Sequence, residues 1–520
     1  MPPNAAPARP GRWIVIAAVL GSSMVFLDGS TVNVALPALQ ASLGASAVDV
    51  QWVINGYTLF LAALLMLGGS LGDHLGRKRV FMAGVVVFTV ASMWCGLAPS
   101  VRQLIAARAL QGVGGALLTP GSLALINANF SPGKRGAAIG TWSSFSAIAV
   151  AAGPILGGWL IDNLSWRWIF FVNVPIALVA LLVTWRRVPE SRDLEAGKRL
   201  DFLGAALATL GLGGVIYALL EASTRTWSDP TVFGALIIGV LALAAFVVAE
   251  ARLEEPMVPL RLFKSRVFAG INVVTLLLYA NLAGLGFFLP LFLIQVRGFA
   301  ATAAGAASLP LVILLFLASG WSGRLYDRVG PRLPIGAGAL LTAAALMLFV
   351  LLGDAPSFLV AVTLPMTVMG AGMALLVAPL TTTVMAAVPE ALSGTASGIN
   401  NAVSRVAGLL AIGLLGMVML NIFGSRLASE LSASSLPVAV QEELLAARND
   451  LAGMQLPPSL SPAQAAEARA VIDDCFTSGF RLVLTSMAVV AVVAAFLSWL
   501  TLPGRGGAPH LAVRGSVAGT

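Results

Sequence analysis

The chain has 520 residues, 58% hydrophobic and only 10% charged, with a formal net charge of +8. A soluble domain carries about 25% charged residues, so composition excludes a water-soluble enzyme and leaves no soluble catalytic domain. Two histidines and two cysteines also leave little for a metal centre or a disulfide framework.

Runs of roughly twenty apolar residues, each long enough to cross a hydrocarbon core about 30 Å thick, recur along the whole chain. Fourteen spans are predicted, at 13–36, 50–71, 80–98, 104–128, 137–161, 168–185, 202–221, 231–250, 268–293, 303–322, 334–352, 358–387, 395–422 and 479–501. The first follows Arg9 and Arg12 as a signal peptide would. It has no small-residue cleavage site, and its apolar character continues past Asp28 to Pro37, so it reads as an uncleaved helix. With both termini cytoplasmic, 21 of the 31 Lys and Arg residues fall inside, eight outside (counting Arg481 at the outer edge of the last span), and Arg108 and Arg405 within spans. The inside clusters include Arg77-Lys78-Arg79, Lys134-Arg135, Lys198-Arg199 and Arg324/Arg328/Arg332. This is the positive-inside pattern of an even number of helices. It explains the net charge without a nucleic-acid partner.

The gap between the second and third spans reads Gly69-Ser-Leu-Gly-Asp73-His-Leu-Gly76-Arg77-Lys78-Arg79. A fainter copy, Gly323-Arg-Leu-Tyr-Asp327-Arg-Val-Gly330, lies 254 positions later. Asp73 at a helix end can hold a cation or a helix N-terminus in one conformation and release it in another. A solvated loop salt bridge is the plainer reading. The repeat continues: Gly112-Val-Gly114-Gly-Ala116-Leu-Leu118 matches Gly370-Ala-Gly372-Met-Ala374-Leu-Leu376 at an offset of 258. Gly136, Ala138 and Gly140 match Gly394, Ala396 and Gly398 at the same offset. Spans one to six are therefore echoed by nine to fourteen, with seven and eight inserted between them, the parallel-repeat plan of rocker-type transporters.

The expected organisation is a disordered tail at 1–12, a six-helix bundle at 13–200 and two inserted helices at 201–266. A second six-helix bundle follows at 267–503, with an extracellular loop at 423–478, then a disordered tail at 504–520. In the loop, Ser461-Pro462-Ala-Gln464 predicts an N-cap, a first-turn proline and a capping-box partner, within one or two short surface helices. Cys95 and Cys475 both map near the outer face and read as two unpaired thiols, with a disulfide as the alternative.

An ionisable group inside a membrane helix costs roughly 2.5–3.5 kcal/mol on insertion scales, so each one suggests function. Asp28, Arg108 and Arg405 qualify, and Asp28 is the only acid deep in any span. At about 1.5 Å per residue Asp28 and Arg108 lie roughly 12 and 8 Å from the outer ends of their spans, depths at which the two can pair. A carboxylate whose partner moves between two conformations binds a proton in one and releases it in the other. A static structural pair is the alternative. Arg405 has no acid within the spans of its own half and needs a backbone carbonyl, Asp28 or an anionic cargo group. Gly153-Pro154-Ile-Leu-Gly157-Gly158 in span five lets backbones approach closely.

These residues carry a resemblance. Gly69 to Arg79 resembles the loop signature of the major facilitator superfamily, with His74 where an arginine is usual. Leu104-Ile-Ala-Ala-Arg108-Ala-Leu-Gln111-Gly112 is similar to its fourth-helix motif, and Gly153 to Gly158 to the fifth-helix antiporter motif. Leu27-Asp28-Gly-Ser-Thr-Val-Asn33-Val-Ala-Leu-Pro37 and Trp166-Arg167-Trp168-Ile-Phe-Phe-Val-Asn173-Val-Pro175 resemble marks of the fourteen-helix drug:proton antiporters, the EmrB/QacA type. The resemblance implies an all-α polytopic membrane protein with the major facilitator fold in the bacterial inner membrane, and a proton-transfer role for Arg108. It implies export of small amphipathic compounds against protons, with Asn33, Asn400, Asn401 and Arg405 as possible cavity residues. Dedicated export of one self-made metabolite, or a non-transporting sensor or assembly role, are the alternatives. No cofactor or enzymatic activity is expected. Gly133-Lys134 and Gly197-Lys198 lack the rest of a phosphate loop, and His74 and His510 are poorly placed as bases. The sequence assigns no periplasmic adaptor.

Overall fold

A computed structural model of the chain describes residues 11–192, 200–253, 256–389 and 392–504. Nearly all of both tails, Lys198, Arg199 and His510 lie outside the described residues. A backbone in lipid must satisfy its polar groups within itself, and the described residues accordingly form fourteen helices long and apolar enough to span a bilayer. They are α1 Gly11–Leu43, α2 Ala47–Leu75, α3 Arg77–Leu97, α4 Val101–Asn129, α5 Pro132–Asn163, α6 Trp168–Arg187 and α7 Phe202–Arg225. There follow α8 Pro230–Arg252, α9 Arg266–Val296, α10 Ala301–Val329, α11 Arg332–Leu352, α12 Leu359–Ala386, α13 Ser393–Ala433 and α14 Pro462–Thr501.

The expected loop at 423–478 is shorter in the structure. Helix α13 continues to Ala433 and α14 begins at Pro462, leaving a connection that holds a short helix, Val438–Ala446, and a 3-10 turn, Arg448–Gly453. The predicted capping box forms, with Ser461 N donating to Gln464 Oε1 at 3.0 Å and Gln464 N to Ser461 Oγ at 3.3 Å. It opens the last spanning helix and not a surface helix. Hydropathy marks only the lipid-buried part of a helix, whereas the Ala, Glu and Arg of 462–478 keep the polar part helical through intrinsic propensity. Likewise α1 already begins at Gly11, inside the expected tail.

The chain packs into two compact units. One holds Met1–Ala249, Gly286–Ser308 and Ile412–Phe480; the other holds Glu250–Leu285, Leu309–Ala411 and Arg481–Thr520. Helices α8, α9, α10, α13 and α14 therefore each contribute residues to both.

Within each unit the sequence repeat becomes a repeat of contacts. In the first, Gly112 on α4 faces the backbone of Tyr57 on α2, and Gly84 on α3 faces Gly114 and Leu118. In the second, Gly370 on α12 faces Leu311 on α10, and Gly338 on α11 faces Gly372 and Leu376. Tyr57 and Leu311, and Gly84 and Gly338, are 254 positions apart, so helix pairs are joined by the same small residues twice. Without a hydrophobic drive between helices in lipid, such close approach is what holds them.

Gly68 on α2 shows how tight the fit is, since a Cβ there would collide with the carbonyl of Ala116 on α4. Gly68→Ala is expected to lower the thermal unfolding midpoint in detergent, a loss of about 1–3 kcal/mol. Gly140→Ala, whose Cβ meets nothing within 4 Å, should leave it unchanged or raise it. Circular dichroism melting curves check both.

Candidate functional site

Asp28 on α1 and Arg108 on α4 are 0% and 1% exposed. Arg108 Nη1 lies 2.5 Å from Asp28 Oδ2. The same nitrogen donates to Gln111 Oε1 at 2.7 Å, and Arg108 Nε donates to the Val53 carbonyl of α2 at 3.1 Å. The guanidinium also lies 4.2 Å from the centre of the Tyr57 ring, a cation–π contact that strengthens when desolvated. Gln111 Nε2 donates to Asp28 Oδ1 and to Ser92 Oγ on α3, both at 2.8 Å. Asn173 on α6 donates to Ser92 Oγ at 3.2 Å. Both carboxylate oxygens are thus held, and five helices contribute to one buried polar network.

Its chemistry follows from the sharing of Arg108. Because Gln111 Oε1, the Val53 carbonyl and the Tyr57 ring already face the guanidinium, the cation keeps partners if Asp28 takes up a proton. A buried charge left without any partner is the costly event in such sites, and here the guanidinium has several.

The opening-loop residues form a second cluster. Gly76, at φ +112, ends α2, and its N–H closes on the Gly72 carbonyl at 3.1 Å. Gly330, at φ +77, does the same on Tyr326 at 2.8 Å. Side-chain-bearing residues rarely take either conformation, which explains the glycine in both copies. Asp73 pairs with Arg77 at 2.8 Å. Lys78 Nζ donates to the Trp185 carbonyl at 2.9 Å, and Glu190 accepts from the Lys78 N–H at 3.0 Å and pairs with Arg79 at 3.7 Å. His74 Nδ1 lies 2.8 Å from the Ser70 carbonyl. Gly69 sits against Pro120 of α4. Asp327 lies in the last turn of α10, beside Gly330.

In α5 a Cβ on Gly153 or Gly157 would collide with Ser30 or Thr31 of α1, and Thr31 Oγ1 donates to the Gly153 carbonyl at 3.1 Å. Gly158 lies against the Ala301 backbone, and Gly305 against the Pro154 carbonyl, so α5 seats the first turns of α10. Asp162 adds hydrogen bonds from Ala301 N at 3.1 Å and Thr302 N at 2.8 Å.

The possible cavity residues divide between the two units. In the first unit, Asn33 is partly buried, near Gly286. In the second, Asn400 donates to Asn272 Oδ1 at 3.1 Å and Thr275 Oγ1 at 2.8 Å, while Asn401 is exposed and bonds the Ser397 carbonyl. Arg405 interacts electrostatically with the half-buried Tyr279 of α9. Cys95 and Cys475 are free and buried, Cys95 Sγ lying 3.7 Å from Gln111 Oε1.

Residues 18–412 match the Major Facilitator Superfamily. The chain belongs to that superfamily. The superfamily chain is 34% identical over 490 residues to a tetracenomycin C resistance and export protein of Streptomyces glaucescens, covering 94% of this chain and 91% of that one. It is 33% identical to the multidrug resistance protein Stp of Mycobacterium tuberculosis (strain CDC 1551 / Oshkosh), again over 94% and 91% of the two chains. Among solved structures it resembles a bacterial homologue of the human lysosomal transporter Spinster in an inward-facing, unoccupied conformation. That match has a TM-score of 0.67 at 18% identity and covers 96% and 98% of the two chains. The chain is thus a multi-pass membrane transporter and not an enzyme.

Sequence reasoning did not assign site roles to Gln111, Ser92, Asn173, Tyr57, Glu190 or Asp162. Gln111 was signalled by standing one turn from Arg108, on the same helix face. Ser92 and Glu190 gave no such signal, because their partners are distant in sequence.

Removing one member of a buried pair costs about 3–5 kcal/mol, and removing both costs much less than the sum. Asp28→Asn and Arg108→Gln should each lower unfolding stability in detergent, and the double variant should recover part of the loss. A double-mutant cycle from denaturant titrations checks this; additive losses would rule out the coupling.

Proposed function

We propose that this superfamily transporter is a proton-coupled antiporter that exports amphipathic organic compounds, with Asp28 as the proton-binding group. The observation that carries the reading is a single deep carboxylate whose two oxygens are both held, and whose cationic partner has other acceptors in reach. The similarity to resistance and export proteins supports efflux as the direction. The Lys and Arg distribution supports cytoplasmic termini in the inner membrane.

In this reading, protonation of Asp28 frees Arg108 to rest on Gln111, Val53 and Tyr57, and the slackened contact between α1 and α4 lets the transporter change conformation. Deprotonation restores the pair. The Gly69–Arg79 turn, tied to Glu190, and the α5–α10 seat act as latches for opposite sides. Asn33 in one unit, and Asn400, Asn401 and Arg405 in the other, are the polar side chains we assign to cargo contact. One proton moving down about 100 mV supplies roughly 2.3 kcal/mol, and at about 1.4 kcal/mol per decade that sustains roughly a fifty-fold gradient. Export of one endogenous metabolite is the second reading, favoured by the tetracenomycin relative. Efflux of one structural class in a broad compound panel would select it.

In everted membrane vesicles energised by a pH gradient, the wild-type chain is expected to accumulate ethidium. Asp28→Asn should lose uphill accumulation by at least about tenfold, the loss set by one uncoupled proton, while still exchanging ethidium at equilibrium. Undiminished pumping by Asp28→Asn would remove Asp28 from the coupling role, and would reopen a coupling-free function.

A further inference from the structure

Helix α2 carries a polar pair that the ion-pair network does not use. Gln51 and Asn55 are both fully buried, and neither the oxygen nor the nitrogen of either amide has a hydrogen-bond partner in the protein. They stand four residues apart, so their side chains share a face, with Cβ atoms about 5–6 Å apart. A buried polar group left unpaired costs roughly 1–3 kcal/mol, and native interiors hold few of them. Four such atoms on adjacent turns of one helix need a partner other than protein.

Two neighbours define the place. The Gln51 amide lies against α13 at Gly416, where a Cβ would collide with it; the glycine leaves the amide its room. On the other side of α2 is the proton site. At about 100° per residue, Val53 points away from the Gln51–Asn55 face, and its carbonyl accepts from Arg108 Nε at 3.1 Å. Tyr57, which carries the guanidinium on its ring, also lies off that face. The amide pair and the ion pair are therefore at one depth, separated by the width of one helix. Carboxamides offer donors and acceptors without formal charge, so they suit an uncharged carbonyl, hydroxyl or amide and give no advantage to a bare cation.

We propose that Gln51 and Asn55 form a hydrogen-bonding subsite for an uncharged carbonyl, hydroxyl or amide group of the exported compound, uncovered when α13 parts from α2 at Gly416. The inference rests on the export reading above and names the cargo chemistry that one face of α2 selects. Because Arg108 is bonded to the turn of α2 between the two amides, a shift of Arg108 on protonation displaces the subsite too. Cargo and proton thereby act on one helix from opposite sides. Resident water offers the same hydrogen bonds, and the two occupants are separable by selectivity.

The test uses purified full-length protein in proteoliposomes with an imposed pH gradient, and two probes. Chloramphenicol is neutral and rich in hydroxyl and amide groups; tetraphenylphosphonium is a cation with no hydrogen-bonding group. Gln51→Leu and Asn55→Leu should each raise KM for chloramphenicol roughly tenfold, the worth of one neutral hydrogen bond. KM for tetraphenylphosphonium should stay within about twofold, the scale of a contact with no hydrogen bond to lose. The unfolding midpoint should not fall, because the deleted groups had no protein partner, and this separates lost recognition from lost fold. Equal changes for both probes, a fall in kcat at unchanged KM, or no change would assign the pair to water or packing and overturn the proposal. So would a wild-type protein that moves tetraphenylphosphonium but not chloramphenicol. A wild-type protein that moves neither would instead sink the export reading, and this inference with it.

Discussion

Two opposite charges buried out of reach of water constrain this molecule more than any other feature. Asp28 and Arg108 are tolerable in the membrane interior only because each oxygen of the acid has a donor and the guanidinium has an acid, an amide, a carbonyl and a ring face around it. That arrangement demands close helices. Gly112, one turn from Arg108, meets the α2 backbone directly, and Gly114 meets Phe88 on α3. Larger side chains there would push apart the walls that desolvate the pair. The small-residue packing of α2, α3 and α4 and the electrostatics of the site are therefore one requirement seen at two scales.

The repeat makes the asymmetry of the site clearer. At the offset that aligns Gly112 with Gly370, Arg108 corresponds to Met366 and Gln111 to Met369, both buried. The second repeat keeps the glycine contacts and the left-handed turn at Gly330, but fills the position of the ion pair with flexible apolar side chains. The glycine contacts are duplicated and the buried ion pair, among the described residues, is not.

How much of this was legible in the sequence depended on the range of the interaction. Fourteen spans followed from hydropathy, and the repeated turn from Gly76 and Gly330, because both are local. Asp28 and Arg108 stood out as charges in apolar runs, and similar depth made a pair geometrically open. What completes the site was not legible. Ser92, Tyr57 and the Val53 carbonyl are ordinary residues of apolar helices until folding brings them to Arg108, and Glu190 reaches Lys78 across 112 positions. Gln51 and Asn55 drew no notice because amides cost less to insert than charges, and only burial without partners marks them. The extent of α13 and α14 past the apolar stretch was missed for a related reason, since hydropathy reports lipid contact and the helix there is held by propensity.

Whether the buried carboxylate exchanges its proton as cargo binds can be read without any membrane. Purified protein in weakly buffered detergent solution, titrated with a transported cation while a pH indicator is followed, should release protons as the cation binds, with the release saturating alongside binding. The same titration of Asp28→Asn should show binding without release. Equal release from both proteins, or binding to the wild-type chain with no release, would contradict the claim that Asp28 is the group through which protons drive this transporter.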